Sequence, residues 1–198
     1  MSPRSRIILA FTLLCACGDP ADDSNTAPDT GDGSSVGDDT ADTLTDSTGA
    51  DPDPFACVDP DFTVEMPLAG PGYDPQVGLI DPQAKYVVTT TQALPPPDRV
   101  AEFGQLAGAA AMAAAQSPGL VAMGFASEPN CGFQRTLTVW RDEDAMMAFV
   151  VSPAHVAAMA AADDVLLTGR TTRFTIAADQ MPLGWDAALA ALADVSAF

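Results

Sequence analysis

One histidine, two tryptophans and eight basic residues in a chain of 198 leave few routes to the commoner chemistries. Lysine and arginine never cluster, and 27 acidic residues outnumber them, so a nucleic-acid backbone finds no counter-charge and nucleic acid is excluded as a partner. With His155 the only imidazole, a transition-metal site would need carboxylates alone or ligands shared across a dimer, and no metal is expected. No nucleophile–base pair and no glycine-rich phosphate loop stands in the sequence. The apolar run at residues 7–14 is well short of the roughly 20 residues that span a bilayer.

What is present begins with "MSPRSRIILAFTLLCAC": two arginines, a short apolar stretch and small residues, the pattern of a secretory signal peptide over residues 1–16. Its end, "LCAC", resembles the bacterial lipobox, which implies cleavage after Ala16 and acylation of Cys17. Each buried CH₂ contributes about 0.8 kcal/mol, so several acyl chains would hold a lipoprotein at a membrane without a spanning helix. Gly18 after the cysteine implies outer-membrane sorting, on the periplasmic side or at the cell surface. With Cys15 removed and Cys17 lipidated, Cys57 and Cys131 remain. In an oxidising compartment they suggest one disulfide; two unpaired thiols are the alternative, because "FACVD" and "PNCGF" say nothing about spatial proximity.

Residues 17–54 hold eleven aspartates, no Lys, Arg or Glu, and only Val36 and Leu44 as sizeable apolar residues. Such a segment cannot offset its ordering entropy and is expected to be a disordered acidic linker, roughly 30–35 Å long on average. From Phe55 onward 16 acids face 6 bases, still net negative. Residues 55–83, rich in Pro, Gly and Asp, read as an irregular lead-in.

The remainder, 84–198, alternates legibly. "KYVVTTTQAL" (85–94) predicts a strand. Asp98 is placed to cap an Ala-rich helix over 99–116. "LVAMGFASE" (120–128) and "FQRTLTVW" (133–140) predict a hairpin across "PNCG". Asp142 opens a helix carrying Ala145, Met146, Phe149 and Val150 on one side, continued after a break by "SPAHVAAMAAA". "RTTRFTIAA" (170–178) predicts a fourth strand and "WDAALAALADV" (185–195) a terminal helix. The order βαββαβ plus one helix is the ferredoxin-like α+β arrangement, a four-stranded antiparallel sheet with an extra C-terminal helix. Helices cover one sheet face, and the other needs a cover that a second subunit or a ligand usually supplies.

"GLVAMGFAS", the hairpin and "TLTVWRDEDAMMAFVVSPAHVAAM" together resemble the antibiotic-biosynthesis-monooxygenase-like family of the dimeric α+β barrel superfamily, over about residues 84–196. The resemblance implies a homodimer and an apolar cavity between sheet and helices. It also implies cofactor-independent oxygenation of a flat aromatic or quinol-like molecule, and hence no cofactor. The rival is a non-catalytic surface module binding a small hydrophobic ligand or a partner protein, since this fold hosts many functions. Matching the haem-degrading relatives through "VW" puts Phe149 and Met159 where they carry Trp and His, so haem degradation is not implied.

An oxygenase of this type needs a base or polar anchor in an apolar pocket. The candidates are His155, Trp140, Asn130, Tyr86 and Arg135, with Met146 and Phe149 as apolar lining. Ser152-Pro153 makes an N-cap and first helical position, so His155 falls in a first turn, where the dipole favours a neutral imidazole able to accept a proton. Cavity lining and a plain structural hydrogen bond are the alternative readings of the same residue. Trp140 packs in a core or dimer interface, or stacks on a ligand. Arg135 and Arg173 each pair with an acid or orient an anion. Asp142, Glu143 and Asp144 read as a helix start.

Overall fold

The computed structural model describes residues 53–198. The expected signal peptide (1–16), the expected lipidation site Cys17 and all of the expected linker except residues 53–54 lie outside the described residues. Residues 53–57 form a 3-10 turn, Pro54–Ala56, with the Asp53 carboxylate accepting from the Phe55 N–H. Cys57 and Cys131 are each disulfide-bonded.

The unit Val58–Phe198 carries a five-stranded antiparallel sheet. Its strands are β1 (Thr63–Ala69), β4 (Lys85–Leu94), β5 (Leu120–Glu128), β6 (Phe133–Trp140) and β7 (Thr168–Ala177), in the order β1-β5-β6-β4-β7. A separate two-stranded ribbon pairs β2 (Tyr73–Asp74) with β3 (Gly78–Leu79). Helix α1 (Val100–Gln116) joins β4 to β5; α2 (Glu143–Val150), α3 (Pro153–Ala160) and α4 (Ala162–Val165) join β6 to β7; α5 (Trp185–Leu192) follows the sheet. Without β1, the order is that of the ferredoxin-like βαββαβ fold.

Three expectations are corrected. The lead-in is not wholly irregular, because β1 adds a fifth strand at the β5 edge. Its signal is weak for physical reasons. Pro67 interrupts the donor row, tolerable at an edge, and two register shifts break the alternation of side chains. Gly124 on β5 admits the bent strand, since a Cβ there would lie 3.1 Å from the Met66 carbonyl oxygen. Second, Asp98 does not cap α1. The N-cap is Arg99, which makes no side-chain cap bond and instead reaches Glu102 at 2.7 Å. Third, the sheet face away from α1–α4 is covered in part by the chain itself. Tyr86, Val88, Leu137, Val139 and Ile176 on that face pack with Tyr73, Leu183 and Ala188, and with Trp185 at the start of α5. Each large apolar side chain buried there contributes roughly 1.5–3 kcal/mol.

The helical layer is built from small residues. Phe103, Ala107, Ala110, Ala111 and Ala114 are the buried positions of α1, at the three- and four-residue spacing of one helix face. Asp142 opens α2, accepting from the Ala145 N–H at 2.8 Å. Ser152 and Pro153 end that helix and start α3.

Candidate functional site

Strand register sorts the sheet into rows. Residues directly opposite one another share a face, and Trp140, Val87's partner on β6, packs with Ala110, Ala114, Met146 and Phe149 of the helices. The helix-facing rows are therefore Leu120–Trp140–Val87–Thr175, then Met123–Thr138–Thr89–Arg173, then Phe125–Thr136–Thr91–Thr171. In the middle of this layer the sheet presents five threonines, all buried: Thr89, Thr91, Thr136, Thr138 and Thr171. The Thr89 and Thr138 hydroxyls bond each other, and the Trp140 indole N–H donates to Thr138 at 2.9 Å. Thr91 and Thr171 share a bond of 3.0 Å. The Thr136 hydroxyl has no hydrogen-bond partner among the described residues.

Against this floor stands an aromatic series. Trp140 stacks on Phe149, centroids 5.2 Å apart and planes at 23°. Phe149 meets the His155 ring edge-on at 4.8 Å. His155 is fully buried; its backbone N–H reaches the Ser152 hydroxyl at 3.4 Å, and its Nδ1 lies 2.9 Å from the Val150 carbonyl oxygen. A carbonyl only accepts, so Nδ1 carries a proton. In the neutral ring the lone pair then belongs to Nε2.

The structure thus brings Trp140, Met146, Phe149 and His155 together between helices and sheet, and places the other candidates elsewhere. Arg135 lies on the opposite face, in a buried ion pair with Glu128, its Nη2 and Nε 2.7 and 2.8 Å from one carboxylate oxygen. Burial pushes the Arg135 guanidinium below its ordinary value, against the pull of Glu128. Tyr86 is on that face too, its hydroxyl accepting from the Gln83 N–H at 2.7 Å. It borders a small cleft of about 160 Å³ with Asp81, Gln83 and Arg141, at the end of the sheet. Asn130, in the β5–β6 turn, donates its amide to Asp59 at 2.7 Å and to Asp61 at 3.0 Å. Desolvation pushes the Asp59 carboxyl up, but the hydrogen bonds from Asp61, Asn130 and Cys131 outweigh it and hold the group below its ordinary value. Arg173 pairs with Glu143 at 3.0 Å on the surface.

The hydroxyl floor escaped the sequence reading, although a signal existed. Thr89/Thr91 and Thr136/Thr138 repeat at a spacing of two within strands, which puts polar groups on one face where apolar ones are the rule.

Residues 86–161, from β4 to just past α3, match the family model for antibiotic biosynthesis monooxygenase. No curated protein matches the chain. Three solved structures are similar to it in part. Rv0793 from Mycobacterium tuberculosis has 17% identity and a TM-score of 0.41, with 46% of this chain and 93% of that one covered. SnoaB from Streptomyces nogalater, a cofactor-independent oxygenase, has 18% identity and a TM-score of 0.40, with 52% and 100% covered. A conserved protein of Methanosarcina mazei has 17% identity and a TM-score of 0.41, with 46% and 91% covered. The match to antibiotic biosynthesis monooxygenase thus covers residues 86–161, and the described unit has a ferredoxin-like α+β fold.

Proposed function

We propose that this domain is a cofactor-independent oxygenase for an aromatic or quinol-like molecule, with His155 as the base. The observation that carries the reading is the Nδ1 contact to Val150, because it fixes the tautomer with its basic nitrogen at Nε2. Nε2 takes a proton from an acidic CH₂ or phenol of the substrate, leaving a delocalised anion. For an anthrone, the carbanion adds to dioxygen, and the peroxide loses its remaining C–H proton as the O–O bond breaks. CH₂ and O₂ become C=O and H₂O, so the ring carbon is oxidised and dioxygen supplies both oxygens. The Trp140–Phe149 stack and Met146 offer the flat, apolar contact that such a substrate needs.

The same proposal places the domain on an exported lipoprotein, acylated at Cys17 and held off the outer membrane by its acidic linker, and includes a homodimer. The test is oxygen uptake by the full chain with 1,8-dihydroxyanthrone, alongside His155→Asn. Uptake that depends on His155 supports the oxygenase; ligand binding with no uptake by the wild type identifies a non-catalytic binding module instead.

A further inference from the structure

We propose that the Thr136 hydroxyl is the anchor for a carbonyl or phenolic oxygen of the bound molecule. Five threonines line the helix-facing centre of the sheet, and four of them have hydroxyl partners within the layer. Thr136 is fully buried, and its Oγ1 alone of the five finds no partner among the described residues. Burying a hydroxyl without a bond is costly, and valine has the same shape without that penalty. The position therefore fits a group that gains its bond when a ligand arrives.

The surroundings define that ligand's chemistry. In its row Thr136 lies between Phe125 on β5 and Thr91 on β4. Phe125 packs with Phe103, Ala107 and Ala111 of α1 and with Val165 of α4, so the roof on this side is mostly methyl groups and one flat ring. A hydroxyl in that setting selects a flat apolar molecule bearing an oxygen that accepts or donates one hydrogen bond. This inference rests on the oxygenase reading for the location of the ligand, and it adds the residue that orients it. Thr136 is a positioning residue, whereas His155 takes the proton.

The experiment uses two probes of one shape, anthraquinone and anthracene, which differ in their two carbonyl oxygens. Binding to the full chain is followed by quenching of tryptophan fluorescence, for wild type, Thr136→Val and Thr136→Ser. Thr136→Val is expected to weaken anthraquinone binding about five- to tenfold, the worth of one buried hydrogen bond, and to leave anthracene unchanged. Thr136→Ser is expected to retain the preference. Its valine counterpart, free of ligand, is expected to melt at the wild-type temperature or above. Equal loss for both probes, no loss for anthraquinone, or a lower melting temperature of Thr136→Val overturns the assignment while leaving the oxygenase in place. Failure of the wild type to bind either probe overturns both.

Discussion

Replacing His155 separates two jobs that one imidazole performs. Through Nδ1 it satisfies the carbonyl of Val150, the last residue of α2, and through its ring it fills space against Phe149. Alanine removes both contributions. A buried carbonyl left without its donor costs about 1–3 kcal/mol, and part of the transfer and cavity cost of a buried ring is added to it. His155→Ala is therefore expected to lose about 2–4 kcal/mol, roughly 6–16 °C in melting temperature for a domain of this size. Asparagine behaves differently, because its side-chain amide can stand where Nδ1–H stood while offering nothing at Nε2. His155→Asn is expected to stay within about 1.5 kcal/mol of the wild type yet lose oxygen uptake by roughly 10²–10⁴-fold, the range of a general base. Urea denaturation and an oxygen electrode read the two quantities on the same preparations. Full oxygen uptake by His155→Asn would refute the base, and an undiminished stability of His155→Ala would refute the cap.

Perturbations at four further sites follow from the packing. Asp142→Ala removes the N-cap of α2 and is expected to cost about 1 kcal/mol at neutral pH. The Ala145 N–H and the Arg141 side chain hold this carboxyl below its ordinary value, so its stabilisation is present above that ordinary value and disappears as the pH falls through the lowered folded pKa. The difference between wild type and variant in denaturant titrations therefore narrows in acid. Gly119→Ala places a side chain at φ +90°, with its Cβ 2.5 Å from that of Ala145; a loss of about 2–4 kcal/mol is expected by urea denaturation. Gly104→Ala, where a Cβ meets nothing within 4 Å, is expected to stabilise α1 by about 0.5–1 kcal/mol. Glu128→Gln strands the buried Arg135 charge and is expected to cost about 3–5 kcal/mol, whereas Glu128→Leu with Arg135→Met is expected to be neutral or stabilising; thermal melts of the two proteins decide.

The elements most visible in the sequence were those whose own residues decide them. "KYVVTTTQAL" and "LVAMGFASE" are strands over their expected residues, and Asp142 and Ser152-Pro153 punctuate the helices where capping chemistry places them. β1 was missed because its pairing depends on a glycine 58 residues away, Gly124, and on an edge position that excuses Pro67. Composition saw only prolines, glycines and aspartates there. For the site, residue type alone could not say which sheet face a strand residue occupies. Tyr86 and Arg135 were attractive as chemistry, but register sets both on the face opposite His155. The threonines run the other way, unremarkable as residue types and informative only once period two puts five hydroxyls beneath the helices.

The break between α2 and α3 ties these levels together. In an unbroken helix the Val150 carbonyl would take the N–H of Ala154 four residues on, and His155 would be left to find another partner. Here Val151 and Ser152 instead turn their N–H groups back to Met147 and Phe149, closing α2. Ser152 then caps a new helix that Pro153 can start because its missing N–H would have had no partner there. The Val150 carbonyl points free of both helices and receives the imidazole. "VSPAH" thus does more than interrupt a helix, since the interruption supplies the acceptor that sets the tautomer of His155. A local propensity rule, written in two residues, reaches the chemistry through one carbonyl.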